Sequence, residues 1–190
     1  MLIGIMALQG AFVEHANHLK QLGIESFEIR QKRDLERPMD GLILPGGEST
    51  TMYKLLVDLD MDQLLIERIN QGLFVFGTCA GLLLLANDIS NHTRAFLKVM
   101  DITARKNAYG RQLGSFRTLG TFGDIKDIEF VFIRAPYIEK VGPNVEVLAI
   151  HDHLIVAARE KHILATAFHP ELSKSTDIHA YFIKMIKGEI

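Results

Sequence analysis

Cysteine occurs once in the 190 residues. A lone cysteine rules out an intrachain disulfide, fits a reducing compartment, and leaves its thiol free to react. Charge of one sign is scarce as well: the formal net charge is −2 and no basic block exists, which argues against nucleic acid or an anionic membrane surface as partner. Long apolar runs are missing. The longest uncharged apolar stretch, residues 73–86, is interrupted by Gly77 and Gly81 and is too short to cross a bilayer. The first residues carry no basic leader of the signal-peptide kind, so the expectation is a soluble, cytoplasmic protein. Repeats, low-complexity tracts and Pro/Gly/Ser-rich linkers are lacking, so a single domain over residues 1–190 is the simplest organisation. No Gly-x-Gly-x-x-Gly or P-loop occurs, and no nucleotide, flavin or other cofactor is expected.

What is present is a composition of 48% hydrophobic and 23% charged residues, that of a globular chain able to build one sizeable core. In the first half, apolar runs alternate with helical patterns, the βαβ signature of a parallel sheet. Strands are predicted at residues 3–8, 26–30, 41–44 and 73–76. Phe12, Val13, Ala16, Leu19 and Leu22 fall at helical spacing with Gly23 as the stop, and helices are predicted at 50–59 and 61–69. Beyond residue 91 the pattern turns to short strands, at 101–105, 115–118, 129–133, 145–150, 153–158 and 163–167, before an amphipathic helix over 175–187. The expected architecture is therefore an α/β fold around a mixed central sheet.

Three segments that follow predicted strands carry chemistry. In Gly77-Thr78-Cys79-Ala80-Gly81 the cysteine sits between a strand and the helix-like run Leu82-Leu83-Leu84-Leu85-Ala86. Such an elbow lifts a nucleophile above the sheet and sets its sulfur beside the first helical N–H groups, which favour thiolate over thiol. A buried structural cysteine in a tight βα turn fits the pentapeptide equally. Pro45-Gly46-Gly47-Glu48-Ser49 can converge backbone N–H groups on an anion, as an oxyanion hole requires, or can be a plain βα turn capped by Ser49 or Thr50. In Phe168-His169-Pro170-Glu171 a histidine is followed two residues later by a carboxylate able to orient it as a general base; alone it also reads as an ordinary loop. Thiol, imidazole, carboxylate and oxyanion donors at successive strand ends favour catalysis over the separate bland readings.

Pro45-Gly46-Gly47, Gly77-Thr78-Cys79-Ala80-Gly81 and His169-Pro170-Glu171, in this order, resemble class I (triad) glutamine amidotransferases. Leu8-Gln9-Gly10-Ala11, Gly46-Gly47-Glu48-Ser49-Thr50-Thr51, Asn107-Ala108-Tyr109-Gly110-Arg111-Gln112, Phe132-Ile133-Arg134-Ala135-Pro136 and Phe168-His169-Pro170-Glu171-Leu172 narrow the resemblance to glutaminase subunits of pyridoxal 5′-phosphate synthase. The resemblance implies a flavodoxin-like three-layer sandwich that hydrolyses L-glutamine to L-glutamate and ammonia. The ammonia would pass to a separate (β/α)₈-barrel synthase subunit, and the glutaminase would be nearly idle until docked. It implies a triad of Cys79, His169 and Glu171, an oxyanion hole from Gly46, Gly47 and Ala80, and glutamine contacts from Gly47, Glu48, Ser49, Lys106, Ile133 and Arg134, with no metal.

Two positions depart from the family pattern. Lys106-Asn107 replaces the usual Arg-Asn, keeping the charge without the planar fork, and Gly114-Ser115-Phe116-Arg117 replaces Asp-Ser-Phe-Glu. A glutaminase for another ammonia acceptor, such as imidazole-glycerol-phosphate or anthranilate synthase, is the enzymatic rival; a non-catalytic regulatory module on the same fold is the other. His151-Asp152-His153 is expected to be a surface turn, not a metal pair. His15 and His18, on the first helix, fit either a partner face or a solvated surface, and Met52, Met61 and Met185 are expected in the core.

Overall fold

In the computed structural model, residues 1–106 and 115–190 are described; the motif Asn107-Ala108-Tyr109-Gly110-Arg111-Gln112 and Gly114 lie outside them. The chain runs β1 (Leu2–Met6), α1 (Phe12–Gln21), β2 (Glu25–Ile29), α2 (Lys32–Leu35), β3 (Gly41–Leu44), α3 (Ser49–Asp58), α4 (Asp62–Asn70), β4 (Phe74–Thr78) and α5 (Ala80–Leu85). It continues through β5 (Ala86–Ile89), β6 (Met100–Arg105), β7 (Phe116–Phe122), β8 (Ile125–Phe132), β9 (Tyr137–Val141), β10 (Glu146–His151), β11 (Leu154–Glu160) and β12 (Ile163–Thr166). A 3-10 turn, Pro170–Leu172, then precedes α6 (Asp177–Lys187).

The strands β2-β1-β3-β4-β12 are side by side and all parallel. This is the 2-1-3-4-5 order of a flavodoxin-like sheet, with the last strand supplied from the C-terminal part of the chain. Beyond β12 the sheet turns antiparallel through β11 and β9 to β6, while β5 pairs parallel with β6. The mixed sheet read from the sequence is thus present. Neighbouring residues of β4 show the layering: Phe76 packs on Phe182 of α6, whereas Gly77 faces Leu85 of α5. Helices therefore cover both faces, which is why β1, β3, β4 and β12 are near-continuous apolar runs buried on both sides. Met52, Met61 and Met185 lie in this core.

Four strands depart from expectation. Ala86–Ile89 is a strand that follows α5 directly. Tyr137–Val141 is a strand where none was predicted. The strands β7 and β8 leave the main sheet altogether and pair as a separate hairpin. His151 ends β10, and Asp152 and His153 form the exposed β10–β11 turn with φ of 47° and 65°.

Register fixes the site. Thr166 of β12 is level with Thr78 of β4, and Leu44 of β3 is level with Gly77. The segments holding Pro45-Gly46, Cys79 and Phe168-His169 therefore leave three adjacent strands at one height, at the carboxyl edge where open α/β sheets place ligands.

Candidate active site

Cys79 joins β4 to α5 with φ +48° and ψ −99°, a conformation that strains a non-glycine residue by roughly 1–3 kcal/mol. Its backbone is held from both directions. The Cys79 N–H donates to Thr166 O at 2.8 Å, and its carbonyl accepts from Leu83 N–H at 3.3 Å. The flanking glycines are there for close approach: a Cβ on Gly81 would land on Leu44 O, and one on Gly77 would sit 2.7 Å from Gly81 C and 2.6 Å from Leu85 Cδ1. The elbow is thus pressed onto the end of β3. Cys79 is 8% exposed, and its Sγ lies 4.0 Å from Ile133 O.

His169 leaves β12 after Ala167 and Phe168. Phe168 is clamped by stacking on Phe130 with centroids 4.2 Å apart, and the His169 N–H donates to Val131 O at 2.8 Å. Proline at the next position starts the 3-10 turn, which carries Glu171 back under the ring so that His169 Nδ1 and Glu171 Oε1 are 2.7 Å apart. Burial alone would lower the His169 pKa. The hydrogen bond to Cys79, that to Glu171 and the charges of both overcome it and push the pKa up to about 10. The ring thus lies between a sulfur and a carboxylate, both of which favour a proton on it, and from there it can exchange that proton with groups reacting at Cys79. Gly46 touches the ring's other side: a Cβ there would land on His169 Cε1 and lie 3.0 Å from Nδ1.

A cavity of about 440 Å³ opens over Cys79 and His169. Gly47, Glu48, Ser49 and Ala80 line it from the β3 and β4 ends, Ile133 and Arg134 from the segment after β8, and Lys106 from the end of β6. Leu83 and Pro136 complete the lining. Every residue expected at the site is accordingly gathered there, with Gly46 and Glu171 behind His169. Ser49 is 1% exposed, yet its Oγ has no hydrogen-bond partner among the described residues, an unmet polar atom on a cavity wall.

The α3 cap is Glu48, not Ser49 or Thr50. Its carboxylate accepts from Thr50 N–H at 3.2 Å and Thr51 N–H at 2.7 Å and meets Lys106 Nζ at 3.2 Å. Partial burial would raise its pKa, but the two backbone hydrogen bonds, the Thr51 side chain and Lys106 bring it down to about 2. Lys106 also reaches Thr50 Oγ1 at 3.4 Å.

Some supporting residues were not assigned from sequence. The Gln9 side chain accepts from Glu48 N–H at 2.9 Å, bracing the Gly46-Gly47 turn; the Leu8-Gln9-Gly10-Ala11 motif was the signal, without a role. Asn91 grips Lys106 through both backbone groups, each at 2.8 Å, and no local pattern announces it. His15 and His18 are not on a solvated surface. Both are buried, at 0% and 5% exposure, beside a third buried histidine, His179.

Comparison with known proteins places the fold and the family. The chain is 54% identical over 188 residues, covering 99% of both chains, to the "Pyridoxal 5'-phosphate synthase subunit PdxT" of Methanocorpusculum labreanum. It is 53% identical over 190 residues, covering 98% of both, to the subunit of the same name from Streptococcus pneumoniae. A crystal structure of a glutamine amidotransferase superposes with a TM-score of 0.92 at 41% identity, covering 97% of this chain and 98% of that one. A second glutamine amidotransferase, from Thermotoga maritima, shares the fold alone, with a TM-score of 0.62 at 15% identity over 100% of this chain and 85% of its own. The model of the SNO glutamine amidotransferase family matches residues 5–188, and the chain belongs to that family.

Proposed function

We propose that this protein is the glutaminase subunit of a pyridoxal 5′-phosphate synthase, a single cytoplasmic domain that hydrolyses L-glutamine and delivers ammonia to a (β/α)₈-barrel partner. The observation that carries the chemistry is the His169 ring, held between Cys79 and Glu171 at the floor of a cavity. Close relatives that bear the synthase name supply the acceptor.

The Cys79 thiolate attacks the side-chain amide carbon of glutamine. The Ala80 N–H and one from Gly46-Gly47 receive the negative charge on the carbonyl oxygen, a contribution worth ~100-fold or more in rate per donor. His169, as imidazolium, protonates the departing nitrogen, so that ammonia leaves and a γ-glutamyl thioester remains. Now neutral, His169 takes a proton from water, whose oxygen attacks the thioester carbonyl. Collapse expels the thiolate, releases glutamate and restores the ion pair. Glu171 fixes the ring orientation and balances its charge throughout. Lys106 and Glu48 at the rim suit the α-carboxylate and α-ammonium of the substrate, Ser49 Oγ offers an unused hydroxyl, and Gly47, Ile133 and Arg134 close the walls.

The test is ammonia release from glutamine by the chain alone and with a pyridoxal 5′-phosphate synthase barrel. A rise on adding the barrel, abolished in Cys79→Ala with barrel binding intact, is expected. Release that is indifferent to the barrel would point to another acceptor, and no release under either condition would end the glutaminase reading.

A further inference from the structure

Glu171 uses only one of its two carboxylate oxygens on His169. The other, Oε2, is buried and makes no hydrogen bond among the described residues. Orphaned oxygens of a buried carboxylate are costly. The group nearest to satisfying it is His15 Nε2 of α1, 3.5 Å away, with both side chains 0% exposed. Behind it stands a line of imidazoles. His15 Nδ1 meets His179 Nε2 at 2.9 Å, and His179 Nδ1 meets His18 Nδ1 at 3.2 Å. His179 faces one neighbour with each ring nitrogen, so the three rings form a wire and not a chelate, because no single ion reaches all of them through one lone pair apiece. Phe76 walls the line edge-on, its ring 6.2 Å from that of His15 and 5.8 Å from that of His179.

Each neutral imidazole donates once and accepts once. The whole line therefore points its N–H groups one way, towards Glu171 or towards the Ser173 backbone, the acceptor facing His18 at the outer end. The inner acceptor is a fully buried carboxylate oxygen. The outer one belongs to a half-buried residue, where water can replace a lost donor. Leaving the outer end to water is the cheaper choice, so the N–H groups point inwards. Thr78 Oγ1, 3.4 Å from His15 Nε2, is then an acceptor beside the same proton.

We infer that His15 is a positioning residue of the proposed glutaminase reaction, donating its Nε2–H to Glu171 Oε2, with His179 and His18 fixing the tautomer that makes this donation possible. The inference rests on the triad reading of the preceding section. Held at both oxygens, the carboxylate cannot rotate, and the ring it orients keeps its Nε2 on the sulfur. All three histidines have lowered pKa values, chiefly through burial, with repulsion from His179, His169 and His18 added at His15 and from His18 at His179, consistent with a neutral line.

The closing experiment compares His15→Gln, whose amide nitrogen restores a donor near the Nε2 position, with His15→Leu, which has none. Both are assayed for glutamine hydrolysis with the synthase barrel, after circular dichroism confirms folding. A loss of roughly 10- to 100-fold in kcat with unchanged KM is expected for His15→Leu, the range of a hydrogen bond to a charged group, with substantial recovery in His15→Gln. A His15→Leu enzyme within two-fold of wild type, or equal losses in both variants, overturns the inference. Imidazole ¹⁵N–¹H correlation spectra of the unmutated chain test it without any substitution: the His15 proton must be on Nε2, and a proton on Nδ1 refutes it even if a variant fails to fold. An inactive unmutated chain would instead indict the glutaminase reading, so the two failures are distinct.

Discussion

The buried line of His15, His179 and His18 makes acid stability the sharpest physical test of the structure. His179 titrates near 6.5 in an unfolded chain but is brought down to about 3 by burial first and then by His18. Below pH 6.5 the unfolded chain therefore binds a proton that the folded chain refuses, and stability falls until the folded pKa is reached, near 3. Between pH 6.5 and about pH 5, the descent covers about 1.5 units at about 1.4 kcal/mol per unit, or about 2 kcal/mol from this residue alone. Against the 5–15 kcal/mol typical of a domain, that is readily measured. His179→Gln removes the titration and keeps a donor towards His15. Urea unfolding at about pH 7 and about pH 5 is expected to show the variant losing about 2 kcal/mol less than wild type over this interval, whatever its stability at neutral pH. Equal losses would mean that His179 is protonated in the folded state, and the buried line of neutral imidazoles would be refuted.

The site makes its own set of demands. Glu171→Gln removes a charge, and weakens a hydrogen bond, that raise the His169 pKa above 6.5, so the pH at which Cys79 alkylation by iodoacetamide changes with His169 ionisation is expected to move downwards; an unmoved profile would separate Glu171 from the ring. Gly46→Ala sets a methyl against His169 Cε1 and Nδ1, and a displacement of even 1 Å costs on the order of 10²-fold in rate, so kcat should fall by about that much while the fold persists. Glu48→Ala removes the cap of α3 and should destabilise the chain by about 1 kcal/mol in thermal or urea unfolding. The Glu48 pKa near 2 adds a sign: its contribution is full above the ordinary carboxylate value of 4.5 and disappears as pH falls towards 2. Lys106→Ala, by losing the cation at the rim, is expected to raise KM for glutamine about 10-fold with little change in kcat; an unchanged KM would leave Lys106 as a partner of Glu48 only.

How much of this was legible in the chain depended on whether the relevant partners were neighbours in sequence. Cys79 between glycines, and His169 two residues before Glu171, announce their geometry locally, because a strained elbow needs small flanking residues and a proline-started turn returns its carboxylate to the ring. The parallel half of the sheet was equally readable, since strands buried on both faces are continuous apolar runs. Tyr137–Val141 was missed because Tyr-Ile-Glu-Lys-Val has no such run, being half-buried. Ala86–Ile89 was missed because no turn residue separates it from α5. Glu48 was overlooked as a cap because Ser49 and Thr50 are commoner N-cap types than a glutamate one residue ahead of them, and the lysine that follows β6, 58 residues away, is a partner no local pattern shows. For His15 and His18 the sequence left a partner face or a solvated surface open, and burial excludes the solvated surface. Their burial is produced by α6 and the 3-10 turn, and the decisive contact, His15 to His179, spans 164 residues. The groups of the proposed triad could be read from short patterns because such chemistry requires particular side chains at particular bends. The groups that hold them in place obey only packing and hydrogen-bond closure, which any distant segment can satisfy, and so they emerge only once the fold has brought that segment home.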